Sequence, residues 1–318
     1  MIHVIQQFTN AFGGTEIHAL NLYKVLKRHA PTRIWSEFDP DPRLAEWPID
    51  LIRPKRLAFP KAGTFVFCGA CWYVGPWLEY AFPRRIIVLH NYPHDSYKDW
   101  FKRAQRPWHP KIEWLFASAQ MQLESGLEGI VEPSPIDLEC FKPTEGMVRS
   151  GPFTVGRLSR DVPEKFHEDD CALFARLAEA GVRVRIMGGT GLRDRLPAHP
   201  LIELLTEGAE RPEQFLNSLD CFLYRTRSDW FEAFGRVVLE AMACGLPVVC
   251  GARGGYTEQI HQGQNGFVFE TNQQALDQVE RLRQNEALRH AMGREARETA
   301  VKLYGEGLPQ EMIDFYLS

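Results

Sequence analysis

A chain of 318 residues and 36.5 kDa is long for one hydrophobic core and comfortable for two domains of about 150 residues. Apolar residues make up 44%, charged residues 25%, and mean hydropathy is -0.30, a soluble globular composition that excludes disordered, collagen-like and disulfide-knot classes. Net charge is -4 but uneven: residues 1–150 hold 18 Lys/Arg against 16 Asp/Glu and the remainder 19 against 25, so neither half is basic enough for a nucleic-acid binder.

No apolar stretch reaches the roughly 20 residues of a membrane helix. The longest, Phe65 to Phe82, is interrupted by Gly69, Gly75, Pro76 and Glu79. Met1 to Ile5 lacks the basic and long apolar regions of a signal peptide, so a cytoplasmic address is expected. Seven cysteines, an odd count, suit a reducing compartment. Cys68 and Cys71 have CxxC spacing, but no second pair completes a zinc ribbon, and the pair reads as a strand end.

In chain order, His3 to Phe8 predicts a first strand and Phe12-Gly13-Gly14-Thr15 a turn. Apolar residues at 17, 19, 20, 22, 25 and 26 then form one face of a helix over Ile17 to His29. Further strands are expected at Arg33 to Phe38, Leu51 to Ile52, Thr64 to Cys68, Arg85 to His90 and Trp114 to Ala117. Proline is dense from 31 to 60, which predicts loops. The pattern breaks near Glu132 to Pro135, and Lys142 to Gly146 reads as a linker.

A second series follows. Strands are expected at Phe153 to Val155, Val182 to Met187, Leu201 to Leu205, Cys221 to Tyr224, Pro247 to Cys250 and Gly266 to Phe269. Helices fall between them at Glu168 to Ala180, Pro212 to Leu219, Gly235 to Cys244, Tyr256 to Gln262 and Gln273 to Leu303, with a short last helix at Leu308 to Leu317. Strands alternating with helices imply parallel βαβ units. The expected fold is α/β, two doubly wound parallel-sheet domains facing across a cleft, at 1–145 (with 305–318 packing back on it) and 146–304. Ligands of open parallel sheets sit outside the carboxyl ends of the strands. The unusual turns there are Gly13-Gly14, His90-Asn91, Gly156-Arg157, Glu232 to Gly235, and Gly251 to Gly255.

The most informative stretch runs from Glu232-Ala233-Phe234-Gly235 through Glu240-Ala-Met-Ala to Cys244-Gly-Leu-Pro-Val. Two carboxylates lie eight apart, one before a helix and one inside it. Backbone amides near Phe234 and Gly235 are unpaired donors at that helix start, a seat for phosphate. From Gly235 to Glu240 the helix rises about 7.5 Å, so a ligand with phosphates at the start can meet a glutamate at either end. A carboxylate accepting from a cis-diol is a natural grip on ribose or hexose hydroxyls.

This stretch resembles the E-x7-E signature of retaining glycosyltransferases of the GT-B fold, family 4 most of all. Gly156-Arg157-Leu158-Ser159 with Lys165 is similar to the family's element in which Arg and Lys grip the donor diphosphate. Gly13-Gly14-Thr15-Glu16 resembles its N-domain glycine loop, and Ile86 to Asn91 the strand ending in a histidine near the transferred sugar. Pro135 to Pro143 is similar to the segment leading into the interdomain linker, with Ser134 where Asn is more usual. Gly254-Gly255-Tyr256-Thr257-Glu258 matches the later glycine turn.

The resemblance implies transfer of a hexose from a UDP- or GDP-linked sugar to a sugar, glycan, small-molecule or lipid-linked acceptor. It proceeds with retention by front-face displacement, a donor phosphate oxygen taking the acceptor proton. It assigns Glu232, His90, Arg157 and Lys165 to the reacting centre, His90 near the sugar's 6-position. Gly13, Gly14, Arg157, Lys165, Ala233, Phe234, Gly235 and Glu240 bind the donor. No cofactor is held permanently. Leaving-group charge needs either a metal on Asp-x-Asp or protein cations. The one such pair, Asp39-Pro-Asp41, lies in a proline-rich loop, so a metal-independent reaction is expected on Arg157, Lys165 and helix amides.

Other readings are a nicotinamide dehydrogenase, a nucleotide-sugar epimerase of the same fold, and a silent binder. GxGxxG is missing at the first turn, Gly189-Thr190-Gly191 lacks the third glycine, and no P-loop occurs. Cations interleave with Trp100, Phe101 and Trp108 over residues 98–111, which either touch an acceptor or membrane surface or form an ordinary helix. The loops that the resemblance implies contact the base, Thr206 to Arg211 and Tyr224 to Trp230, carry no clear code.

Overall fold

The computed structural model describes residues 1–69, 74–91, 105–144, 151–305 and 307–318. Two compact units emerge, Met1–Pro135 with Glu306–Ser318, and Ile136–Gly305.

The first unit holds an all-parallel sheet of β1 (Ile2–Ile5), β2 (Thr32–Ser36), β3 (Ile49–Leu51), β4 (Ala62–Cys68), β5 (Phe82–His90), β6 (Ile112–Phe116) and β7 (Gly129–Val131) in the order β3-β2-β1-β4-β5-β6-β7. Helix α1 (Gly14–Leu26) follows β1, and α2 (Ala119–Ser125) follows β6. Parallel sheets are covered on both faces, so their strands are continuous apolar runs. Val66, Ile87, Leu89 and Leu115 pack with Leu20 and Leu22 of α1. The alternate residues Phe65, Phe67, Ile86 and Val88 pack with Trp77 and Leu78. The first strand stops at Ile5, short of the expected Phe8, whose φ of 54° is left-handed. The sequence pattern announces neither β7 nor α2, although Ser118 and Gly126 cap α2 at its two ends.

The second unit holds β8 (Thr154–Leu158), β9 (Arg183–Met187), β10 (Ile202–Leu205), β11 (Cys221–Tyr224), β12 (Val248–Gly251) and β13 (Gly266–Phe269), all parallel in the order β10-β9-β8-β11-β12-β13. Its helices are α3 (Asp170–Glu179), α4 (Pro212–Asn217), α5 (Arg236–Ala243), α6 (Asn272–Gln284) and α7 (Glu286–Tyr304). The long helix expected over 273–303 is two, because Asn285 leaves helical geometry (φ -124°, ψ 90°) and accepts from Leu288 N at 2.9 Å as the cap of α7. The helix expected at 256–262 is a 3-10 turn, Gly255–Gln259. Residues 136–144 group with this unit. Asn217 donates to Lys142 O at 3.0 Å and accepts from Thr144 N at 2.9 Å, while Arg297 donates to Phe141 O at 2.7 Å.

In each unit the strand order reverses beside the first strand, between β1 and β4 and between β8 and β11. At such a switch point the loops leave in opposite directions and open a crevice for a ligand. Among the described residues no helix is long and apolar enough to cross a membrane.

The last helix, α8 (Gln310–Leu317), packs Met312, Ile313 and Tyr316 on the first unit's core. It is also tied by polar groups. Arg85 of β5 donates to Phe315 O at 2.5 Å and Ser318 Oγ at 2.9 Å. Tyr316 donates its hydroxyl to Glu132 Oε1 at 2.7 Å, with His18 Nε2 3.5 Å from the other carboxylate oxygen and His18 Nδ1 3.0 Å from Ser134 Oγ. Glu132 is fully buried beside the Cys68 thiol, and burial pushes its carboxyl up to about 8 against the pull of Tyr316.

That shift gives a pH dependence with a definite sign. The folded state keeps this proton while the unfolded carboxyl, near 4.5, has lost it. Stability is therefore fully present below 4.5 and declines as pH rises toward about 8, by roughly 1.4 kcal/mol per pH unit. Urea unfolding from pH 5 to 8 is expected to follow that decline, and Glu132→Gln to flatten it and exceed the parent's stability at pH 8. An unchanged profile in the glutamine variant would assign the dependence elsewhere.

Candidate functional site

Two clusters of the expected residues form, one on each unit. On the first, the chain leaves β1 and turns into α1 through Gly13 and Gly14. Asn10 Oδ1 accepts from Phe12 N at 2.9 Å and Asn10 O from Gly13 N at 3.1 Å, closing the turn. A Cβ on Gly13 would stand 1.9 Å from Glu16 Oε2, so the glutamate side chain folds over a space only glycine leaves. At Gly14 a Cβ would meet nothing within 4 Å, which leaves the helix start open. Asn91, just after β5, donates to Thr15 Oγ1 at 2.9 Å. This bond brings His90, 3% exposed with its ring 5.5 Å from that of Phe116, beside the glycine turn.

The Asp-x-Asp pair does not converge. Asp39 pairs with Arg53 at 2.5 Å and Asp41 with Arg43 at 2.6 Å, the latter bond holding Asp41 well below the usual carboxylate range. Among the described residues, no three His, Cys, Asp or Glu side chains group as a metal site. Cys68 is buried and burial pushes its thiol up, the state of a structural cysteine. Its CxxC partner Cys71 lies outside the described residues, as do 98–104 of the aromatic and basic segment. Of the rest of that segment, Trp108 is 58% exposed and Arg106 pairs with Glu79.

The second cluster occupies the carboxyl end of β8 and β11, at the switch point. Lys165 ends a short turn, Pro163–Lys165, and its Nζ donates to Glu232 Oε2. Tyr224, the last residue of β11, donates its hydroxyl to the same oxygen at 2.8 Å. Burial works against the Glu232 charge, but the Lys165 cation, these two hydrogen bonds and Arg160 prevail and hold its carboxyl below its ordinary value. Glu232 is thus an anion at neutral pH.

The loop carrying it is fixed by one ring. Glu232 O accepts from Gly255 N at 2.8 Å. Gly235 (φ 77°) and Gly254 (φ 148°) flank Tyr256, and a Cβ on either would come within 2.4 Å of its ring. Tyr256 is fully buried, its hydroxyl donating to Gly251 O at 3.0 Å and Arg253 O at 2.9 Å. Ala233 and Phe234 are buried on the same loop, and α5 starts immediately after Gly235. Glu240, on α5, is buried with Oε1 2.8 Å from Arg236 Nε; burial pushes its carboxyl up while Arg236 pulls it down.

Arg157 sits differently from Lys165. It is 1% exposed within β8, donating through Nη1 to Asp170 Oδ2 at 2.9 Å and to Arg225 O at 3.2 Å, and through Nη2 to Lys165 O. Its guanidinium lies 4.3 Å from the centre of the Phe166 ring. Asp170 also accepts from Arg225 Nε at 2.6 Å and His167 N at 3.1 Å. Two guanidiniums share one carboxylate, leaving an excess positive charge beneath the Lys165 turn. Arg157 Nε and Arg225 Nη2 are buried with no partner among the described residues.

Sequence reasoning missed Tyr224, Asp170, Arg225 and Arg236. The apolar run Cys221 to Tyr224 followed by Arg225 carries a usable signal, a cation at a strand's carboxyl end. Asp170 carries none, since Asp169-Asp170 before a helix reads as an ordinary first turn.

Residues 148–299 match the family described as Glycosyl transferases group 1. The chain is 36% identical over 93 residues to spore coat protein SA of Bacillus subtilis (strain 168), covering 28% of this chain and 25% of that protein. It is 39% identical over 75 residues to N-acetyl-alpha-D-glucosaminyl L-malate synthase of Bacillus anthracis, covering 23% and 20%. Against D-inositol 3-phosphate glycosyltransferase of Arthrobacter sp. (strain FB24) the identity is 28% over 194 residues, covering 52% and 44%. These matches span less than half the length of each curated relative. Among solved structures, the Anabaena protein HepE in complex with UDP-glucose superposes with a TM-score of 0.73 at 17% identity, covering 99% of this chain and 97% of that one. WaaG, a glycosyltransferase involved in lipopolysaccharide biosynthesis, gives 0.72 at 14%, covering 99% of both. At such identities the likeness establishes the fold: two Rossmann-like parallel-sheet domains of the GT-B kind.

Proposed function

We propose that the protein is a glycosyltransferase that moves a hexose from a UDP- or GDP-linked sugar to a hydroxyl of a sugar, glycan or lipid-linked acceptor, retaining configuration and using no metal. The observation that carries this reading is the Lys165–Glu232–Tyr224 cluster beside the amino end of α5, at the carboxyl edge of a parallel sheet. The family match over the same unit supports it. HepE, solved with UDP and with UDP-glucose, favours UDP as the first nucleotide to test.

The chemistry follows from charge. As the bond from the anomeric carbon to the diphosphate oxygen breaks, negative charge grows on the leaving group. The Lys165 cation and the open amides of the Phe234–Gly235 turn meet that charge, with buried Arg157 backing the Lys165 turn from beneath. The acceptor oxygen bonds the anomeric carbon on the face the diphosphate leaves, and its proton passes to the departing phosphate oxygen. Glu232, kept ionised, accepts from hydroxyls of the transferred hexose; His90, on the first unit, holds the sugar near its 6-position. Gly13 and Gly14 allow close approach to the helix start of α1. Segment 98–111 stands as the candidate for acceptor or membrane contact.

Thermal unfolding with UDP, GDP, ADP and NAD, each at about 100-fold over its dissociation constant, tests the reading. Saturation at that level adds about 2.7 kcal/mol, a rise of several degrees. A rise with UDP or GDP that is lost in Lys165→Ala is expected. A rise with NAD alone, or with no nucleotide, overturns the reading in favour of a dehydrogenase or a silent binder.

A further inference from the structure

The second glutamate of the pair is not presented bare. Arg236, the first residue of α5, lies one helical turn before Glu240 and places its Nε 2.8 Å from Glu240 Oε1, the two side chains being 9% and 7% exposed. Glu240 Oε2 accepts from no donor among the described residues. Burial and one neighbouring charge favour the neutral form of this carboxyl. Glu213, from α4, is a like charge, while the half-buried Cys140 thiol and the buried Cys244 thiol lie within electrostatic reach. Tyr304, from α7, is fully buried with a hydroxyl that has no hydrogen-bond partner among the described residues, within electrostatic reach of Arg236 and Glu240 alike.

We propose that Arg236 is a positioning residue for donor recognition: its guanidinium stands against Glu240 Oε1 and leaves Oε2 for the ribose hydroxyls that the sequence reading already gives this glutamate. This rests on the transferase reading above. The logic is one of donors and acceptors. A buried carboxylate stripped of its counter-charge takes up a proton. A protonated carboxyl has lost acceptor capacity and must find a place for its own hydroxyl hydrogen. Arg236 also limits the directions open to the carboxylate, since a planar guanidinium packed against it constrains orientation as a lysine ammonium does not.

Calorimetry with UDP, GDP and their 2′-deoxy counterparts, on the parent, Arg236→Met and Arg236→Lys from pH 6 to 9, reads the nucleotide side. Unfolding without nucleotide over the same range, on Arg236→Met with and without Glu240→Gln, reads the proton side. In Arg236→Met the ribonucleotide is expected to bind about tenfold more weakly at pH 6, the equivalent of one pKa unit, and to recover toward the parent by pH 9. The 2′-deoxy nucleotide should bind with little pH dependence, and Arg236→Lys should keep the flat profile of the parent. Unfolding of Arg236→Met should lose stability with rising pH, and Glu240→Gln should remove that loss.

Ribonucleotide binding by Arg236→Met equal to the parent at every pH overturns the proposal. So does a uniform loss with no pH dependence and equal loss for the 2′-deoxy nucleotide, the signature of mere packing damage. If the parent binds neither UDP nor GDP, the transferase reading fails and takes the ribose role with it, while the unfolding profiles still decide whether Arg236 keeps Glu240 charged.

Discussion

Replacing Asp170 by asparagine is expected to destabilise the second unit by about 3–5 kcal/mol, the usual cost of removing one partner from a buried ion pair. The carboxylate serves two guanidiniums and a backbone amide, and all three charged side chains are buried. Asparagine keeps the shape and one acceptor oxygen but leaves two cations facing each other in a medium that solvates neither. In a unit of this size the loss corresponds to roughly 6–20 °C in melting temperature. Asp169→Asn is the control. That neighbour is exposed and makes no cap bond, so its change should stay within about 0.5 kcal/mol. Adding Arg225→Met to Asp170→Asn should recover part of the loss, because one of the two uncompensated charges goes with it. Equal stabilities for the two single variants would mean that the cluster is far better solvated than its burial implies.

The second large effect is on turnover. Glu232→Gln is expected to lower kcat about 10²–10³-fold, the size of losing one charged group aimed at the reacting centre. The same variant should bind the nucleoside diphosphate as well as the parent or more tightly. Lys165 currently shares its charge with Glu232, and glutamine frees that charge for phosphate. A drop in kcat with unchanged or tighter diphosphate binding separates a sugar-contacting anion from a fold-holding one. Weaker diphosphate binding with kcat intact would reverse that assignment and make Glu232 a brace for Lys165.

Much of this architecture is legible in local sequence because parallel strands buried on both faces must be apolar at every position. Runs such as Phe65 to Cys68 and Ile86 to Leu89 announce themselves whatever they pair with. The glycine turns are legible for a related reason: Gly235 and Gly254 take backbone angles that other residues rarely adopt. What stays hidden is pairing at a distance. Asp170 meets a guanidinium 55 positions later, and nothing in its neighbours distinguishes it from a helix-starting aspartate. Arg157 is visible as a cation at a strand's carboxyl end, but its inward direction depends on Asp170 and on the Lys165 carbonyl. Strand β7 escapes notice because three residues are too few for a periodicity. The break at Asn285 escapes because an asparagine inside a polar helical run is ambiguous until its side chain is seen capping the next helix.

Tyr256 has a consequence for how this chain can vary over generations. Its ring fills the space where side chains of residues 235 and 254 would begin, and its hydroxyl anchors the turn that holds the Glu232 carbonyl. Three positions, one of them about twenty residues before the other two, therefore share one volume. A larger residue at 235 or 254 finds room only alongside a smaller one at 256, still meets an unfavourable backbone angle, and surrenders the anchor. Substitutions at these sites should consequently be harmful singly and only partly rescued in pairs, making the triplet change together or not at all.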